Sequence, residues 1–278
     1  MIRVLPLFLL FPEGNVRRIL LALLMSCGLC AAADDLAQIK QSGLINVGIK
    51  DNSPPFSQID PASKTVTGFD IDMAVAVAKL LGVKPVMKTM DSERRIEFLK
   101  NKTVDIVVAD LAITNDRLKE IDFSIGYIVV EERVYGKVNR FKKLDDLKTA
   151  TIGINAGTSL SKDFKREFPT AKIVLVPDKP DLAKQLNADL VDGIAASMPI
   201  LMSLQSKITN RKAFEFSPFT LALHVYAVGV RKNEKRLTTA INDALLALEK
   251  SGEAAKIYER WFGPNSTTPI QRTFVISP

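Results

Sequence analysis

The sequence predicts an α/β protein of two lobes, and three observations carry that reading. Short apolar runs alternate with helical patterns from Leu44 to Phe262, the grammar of largely parallel sheets covered by helices. That grammar restarts once, at TIGIN (Thr151 to Asn155), after a long apolar stretch. Two extended segments, around Ile128 to Val134 and around Leu223 to Val230, would cross between the halves. The second lobe therefore reads as an insertion into the first. Two crossings make a hinge, with a cleft between the lobes where small-molecule sites preferentially lie.

In chain order, LINVGIK reads as a strand and FDIDMAVAVAKLLG as a helix. Asp70 can cap that helix, Ile71, Ala74, Val75, Ala78 and Leu81 share a face, and Gly82 ends it. KPVMKTM is a strand, ERRIEFLKNK a helix, and VDIVVA and IDFS are strands; GYIVVEERVYGKV carries the chain across. In the second lobe TIGIN, KIVLVP and DGIAAS are strands, with helices SLSKDFKREF and DLAKQLNA between them. LHVYAVGV returns, and the final helices start at a cap on Asn233 and break at Gly252. Nothing periodic follows Pro264, so a disordered tail is expected. The expected division is a leader over 1–33, a first lobe over 34–131 and 226–263, an inserted lobe over 132–225, and a tail over 264–278.

The leader contains the apolar run ILLALLMSCGLCAAA after Val16-Arg17-Arg18, which reads as a secretory signal peptide cleaved after Ala31-Ala32-Ala33. LMSC, ending at Cys27, offers a rival lipoprotein reading. Cys27 and Cys30 are the only cysteines, so the mature chain has no disulfide framework, thiol nucleophile or thiolate metal site. One histidine, His224, excludes two-histidine zinc motifs. The formal charge of +7 falls to +5 without the leader's Arg3, Arg17, Arg18 and Glu13, a weak preference for anions. No dense basic block with interleaved aromatics suggests nucleic acid. Beyond the leader no apolar run approaches bilayer length.

Four stretches then carry a resemblance: GFDIDMAVAVAKLLG (Gly68 to Gly82), ITNDRLKEIDFS (Ile113 to Ser124), NAGTS (Asn155 to Ser159) and IYERWFG (Ile257 to Gly263). In this order and spacing the chain resembles the polar amino-acid branch of the periplasmic solute-binding proteins, the extracellular partners of ABC importers. The resemblance implies a periplasmic protein with the type II periplasmic-binding architecture: two Rossmann-like lobes on a two-strand hinge that closes like a Venus flytrap. It also implies no catalysis and no cofactor or metal, an amino acid or dicarboxylate ligand, an inner-membrane ABC permease as partner, and a monomer.

The resemblance assigns site residues position by position. Arg117 is the clamp for the ligand α-carboxylate, a guanidinium fork matching two carboxylate oxygens. The helix starting near Thr114, with backbone amides there and at Ala112, would face the same anion. Thr158, in the second lobe's GTS turn, would grip it from the other side. Lys50 and Ser53 stand where most relatives with this turn carry an aspartate and an aromatic. Binders of acidic amino acids have a basic residue and a serine there, and a serine and an arginine at Ser92 and Arg95. Lys50, Ser92 and Arg95 then form a cradle for a second carboxylate. Ser197 aligns with the aspartate that neutralises a ligand ammonium, so either the ligand has no ammonium or another acid takes it. Asp110, at a strand's C-terminal end, is the candidate acid. Asp70 also falls at a contact position, although capping explains it. His224 near the returning strand, Trp261 and Phe262 read as packing residues; Phe56 suits cleft or core equally. A dehydratase acting on cyclohexadienyl acids shares the fold, as do sensory receptor modules, and these are the alternatives to a transport receptor.

Overall fold

In the computed structural model, which describes residues 34–278, helix α1 (Asp35–Ser42) leads into β1 (Leu44–Ile49), β2 (Asn52–Ser53), β3 (Ser57–Ile59) and β4 (Val66–Thr67). α2 (Phe69–Leu80), β5 (Lys84–Thr89), α3 (Arg95–Lys100), β6 (Ile106–Val107) and α4 (Asn115–Glu120) complete this half. The long β7 (Ile121–Lys137) crosses to β8 (Thr151–Asn155), α5 (Ser159–Glu167), β9 (Lys172–Val176), α6 (Lys179–Asn187), β10 (Gly193–Ser197), α7 (Met198–Gln205) and β11 (Phe214–Phe216). The chain returns on β12 (Ala222–Arg231), then forms α8 (Lys235–Lys250), α9 (Glu253–Phe262) and a tail. The expected leader, with both cysteines and its cleavage and lipidation signals, lies outside the described residues.

The main sheet runs β5-β1-β6-β12-β7-β10-β8-β9, with β11 added beside β7. β1 pairs in parallel with β5 and β6, and β8 pairs in parallel with β9 and β10. Each parallel half is the sheet of one lobe. Between them β7 and β12 run antiparallel from Ile121↔Arg231 to Glu132↔Ala222, with register shifts on either side of Ala227. Such irregularities bend and twist a strand pair, which suits the place where two lobes must angle toward each other.

α2 buries Phe69, Asp70, Ile71, Met73, Ala74, Val77 and Ala78, with Leu81 just beyond its end. Two expectations for this helix fail. Its N-cap is Gly68, so Asp70 lies inside the first turn, and its carboxylate turns into the protein. Val75 is exposed, because the stripe through residues 70, 73, 74, 77 and 81 leaves it on the outer flank. Gly68 is needed where it stands: its φ is 149°, and a Cβ there would lie 2.1 Å from the Phe56 carbonyl oxygen. Phe56 itself is core, packed with Phe69, Phe262 and Tyr226. Phe262 is buried, whereas Trp261 is half-buried and donates from Nε1 to Asp72 Oδ2 at 2.8 Å.

The last helices also differ in detail. Asn233 does not cap α8; it adopts φ 69° ahead of the N-cap Glu234, and its amide donates to Asp122 Oδ2 at 2.7 Å. Gly252, in the left-handed region at φ 75°, separates α8 from α9 as expected. The tail is not disordered. The Ile270 amide donates to the Phe262 carbonyl at 2.8 Å, and Ile276 is buried. Arg272 pairs with Glu249 and stacks 4.8 Å from the Phe274 ring. Single anchors hold this segment without a repeating pattern, so periodicity carries no sign of it. Deleting residues 268–278 is expected to lower the unfolding free energy by about 2 kcal/mol, chiefly the burial of Ile276; a urea titration measures it.

Candidate functional site

The strand ends and helix starts of both lobes converge on a charged cluster centred on Asp110. This residue follows β6 with φ 43°, a conformation uncommon outside glycine that bends the backbone there. Its amide donates to Asp70 Oδ2 at 2.7 Å. Arg95 Nη1 lies 3.2 Å from Asp110 Oδ1. Asp110 Oδ2 accepts from Ser53 Oγ at 2.7 Å and from Lys179 Nζ. Lys179 opens α6 in the second lobe and also donates to Ser53 Oγ at 2.6 Å. Asp110 is thus paired with one cation from each lobe.

Arg95 is almost completely buried, and its fork is largely committed to protein oxygens: Ser92 O at 2.9 Å, Ala109 O at 2.8 Å and Gly157 O at 3.1 Å besides Asp110. Burial lowers its pKa to about 10. Lys50, at the end of β1, is buried and donates to Ser92 Oγ at 2.7 Å; Ser92 Oγ in turn lies 3.2 Å from Asn155 Oδ1 in the second lobe. Burial, then repulsion from Arg95, lowers the Lys50 pKa to about 7. Burial, then Lys50 and Arg95, pushes Lys179 well below the usual lysine range. Asp70 lies behind these cations, fully buried, with Tyr127 OH donating to Oδ1 at 3.0 Å. Burial raises its pKa to about 7 against the pull of Tyr127, Lys179 and Arg95.

Arg117 sits in the first turn of α4, half-buried, with Nη1 on the Ala112 carbonyl at 2.8 Å and Nη2 on the Gly157 carbonyl at 3.4 Å. Burial, then Arg95, lowers its pKa to about 9. Thr114 caps α4, its Oγ1 accepting from the Arg117 amide at 3.3 Å. Ala112 thus contributes its carbonyl to the arginine. Across the cleft Thr158 caps α5, with Ser161 N on its Oγ1 at 3.2 Å. Gly157 makes this approach feasible: at φ 70°, an added Cβ would come within 2.8 Å of the Glu93 amide nitrogen.

These residues enclose an inner chamber of about 30 Å³ lined by Arg95, Asp110, Arg117, Thr158, Lys179, Ser197 and, unexpectedly, Glu132 and Tyr226. It lies behind an outer mouth of about 680 Å³ that shares Arg95, Arg117 and Thr158. The structure therefore brings Asp110, Ala112, Arg117, Thr158, Arg95 and Ser197 to one chamber, with Ser53, Ser92, Lys50 and Asp70 linked to it by hydrogen bonds or charge. Thr114 and Ser92 line the outer mouth.

Two charged members escape the sequence reading. Lys179 follows a strand in the second lobe much as Lys50 follows one in the first, and its position before Pro180 marks a helix start. Glu132 has a clearer signal: Val130, Glu132 and Val134 alternate inward on β7 and all are buried, so an acid occupies an apolar register. His224 Nδ1 lies 3.2 Å from Glu132 Oε1, so the histidine is tied to this wall.

Residues 45–264 match the bacterial extracellular solute-binding proteins, family 3. The chain belongs to this family. Among relatives of this solute-binding protein, the L-cystine-binding protein of Escherichia coli is 28% identical over 235 residues, 84% of this chain and 87% of its own. The L-glutamate/L-aspartate-binding protein of Pseudomonas aeruginosa is 27% identical over 248 residues, 84% and 80% of the two chains. A solved ancestral amino acid-binding protein, a precursor of cyclohexadienyl dehydratase, is 28% identical with a TM-score of 0.75, covering 82% of this chain and 99% of that one. The fold of this family 3 protein is accordingly the two-lobed type II periplasmic-binding architecture.

Asp70 gives a pH-dependent prediction for the solute-binding protein. Its folded pKa, near 7, is above the ordinary 3.8, so the folded state holds the extra proton between those values. That contribution is fully present below about 4 and is lost as pH rises toward 7. Relative to Asp70→Asn, the wild type is expected to lose roughly 3 kcal/mol of stability across this range. Urea unfolding of both proteins at stepped pH checks it.

Proposed function

We propose that this chain is a periplasmic receptor that captures an acidic amino acid or a related dicarboxylate and delivers it to an ABC permease without chemically altering it. The observation that carries the reading is the excess of basic side chains around one chamber, with Lys50, Arg95 and Lys179 buried and Arg117 half-buried. Arg95, Arg117, Lys179 and nearby Lys50 oppose the carboxylates of Asp110 and Glu132, while burial favours the protonated form of Asp70. Crowding cations in a desolvated site is costly, as the lowered pKa values of all four indicate. An anionic ligand would relieve that cost, so its binding is favoured over a cationic one.

In this reading Arg117 takes the α-carboxylate with Thr158 opposite it, and the Lys50–Ser92–Arg95 cradle, extended by Lys179, faces a second carboxylate. Since Arg95 is largely committed to backbone carbonyls, Lys179 and Lys50 supply the more adaptable charges. The lobes part near 131/132 and 225/226, on the crossing strands β7 and β12. A chamber of about 30 Å³ has room for about one water. Capture therefore requires the lobes to part or Lys179 to swing away from Asp110. The named relatives include a glutamate/aspartate-binding protein, in keeping with an acidic ligand, and a cystine-binding protein.

Calorimetric titration with aspartate, glutamate, succinate, glutamine and arginine tests the proposal. The acidic compounds should bind most tightly; preference for arginine or glutamine would overturn the acidic assignment. Arg117→Ala should weaken binding by about 3 to 5 kcal/mol, the cost of leaving a buried carboxylate without its partner. Near-normal affinity in that variant would exclude the clamp role.

A further inference from the structure

Glu132 and Ser197 face each other across the β7–β10 ladder, Ser197 pairing in register with Glu132. Both are buried, at 4% and 1% exposure, and both line the inner chamber. Ser197 Oγ, beside the Tyr226 hydroxyl, completes no hydrogen bond of normal geometry among the described residues. Both hydrogen-bonding neighbours of the Glu132 carboxylate, His224 Nδ1 at 3.2 Å and Tyr226 OH at 3.4 Å, lie at Oε1. Oε2 has none among the described residues. Among the described residues the Glu132 side chain is buried with only Oε1 hydrogen-bonded, and the Ser197 hydroxyl is buried without a partner. The two stand at paired positions, where an unpaired charge or hydroxyl is costly.

Among the described residues, the chain's own cations do not fill this wall. Lys179 is engaged by Asp110 and Ser53, and Arg95 by Asp110 and three backbone carbonyls. What the wall lacks is a compact positive donor. A primary ammonium has three N–H groups and no acceptor, and Glu132 Oε2, Ser197 Oγ and the Tyr226 hydroxyl oxygen offer three acceptors.

We infer that Glu132, with Ser197 and Tyr226, forms a subsite that requires a primary ammonium on the ligand, so that amino acids are taken and their deaminated counterparts are rejected. The inference rests on the transport-receptor reading and narrows it: of the amino acid and the simple dicarboxylate, it selects the amino acid. Rejection follows because a ligand without the ammonium closes the chamber over an unpaired carboxylate. Asp110, paired with Arg95 and Lys179, is left to orient those cations.

The test compares matched pairs by calorimetry: L-aspartate with succinate, L-glutamate with glutarate, and L-glutamine with glutaramate. In the wild type the amino acid of a bound pair should bind at least about 100-fold more tightly, and Glu132→Gln should reduce that ratio below about tenfold. Placing the acid on the facing strand, Ser197→Asp in the Glu132→Gln background, should restore much of the ratio. Circular dichroism and melting curves identify a variant that has failed to fold, and the wild-type ratio alone then decides. Equal affinity for the paired compounds in the wild type, or an unchanged ratio in folded Glu132→Gln, would overturn the ammonium subsite. If only the glutamine pair binds, the acidic-ligand reading fails, and the glutamine-to-glutaramate ratio still decides the role of Glu132.

Discussion

The cleft depends on where the charge of Asp110 is spent. One oxygen faces Arg95 from the same lobe, and the other takes Ser53 and Lys179, the latter from the opposite lobe. Removing one partner of such a buried group leaves an uncompensated charge, at a cost of about 3 to 5 kcal/mol. Its backbone is tied as well, through the amide bond to Asp70. Because Asp110 holds both cations, these stay ordered in a space where their mutual repulsion would otherwise drive them apart.

The same interaction organises the approach of the lobes. Around it, Arg95 and Arg117 of the first lobe donate to the Gly157 carbonyl of the second, and Ser92 meets Asn155. Asn52 also bonds to Asp178, the residue before Lys179. These are polar, directional contacts, unlike the apolar packing within each half. Closure by such contacts is specific in geometry yet modest in net energy, since each replaces hydrogen bonds to water. Such contacts can be exchanged for hydrogen bonds to water at small net cost.

The division of labour among the acids follows from burial and partners. Asp70 lies deepest, and burial raises its pKa to about 7, so its charge is the least available. Asp110 already has two cations. Glu132 differs because its neighbours are a histidine and a tyrosine at one oxygen, with no lysine or arginine paired to it among the described residues. Three acids within one site thus have three different capacities to meet a ligand, although they are chemically alike in sequence.

Much of the fold is legible in the sequence because the periods of buried strands and amphipathic helices are local properties. The alternation of elements, the restart at Thr151, the crossing segments, the break at Gly252 and the stretches carrying the family likeness can all be read without coordinates. The tail was illegible because isolated anchors such as Ile276 and Arg272 leave no period. In the site, motif position led to Arg117, Thr158, Lys50, Ser92, Arg95 and Asp110, but partnership could not be read. Arg95 looks like a free cradle residue until its carbonyl partners are known. Lys179 lies 69 positions from Asp110, and no local pattern joins them. Thus the sequence by itself determined the alternation of elements behind the two-lobed architecture, and through its family motifs several of the residues near the cleft, because these follow from local periodicity and motif spacing. Only the tertiary structure decided which charges neutralise one another and that Glu132 stands opposite Ser197, because strand register and lobe packing bring distant residues within bonding distance.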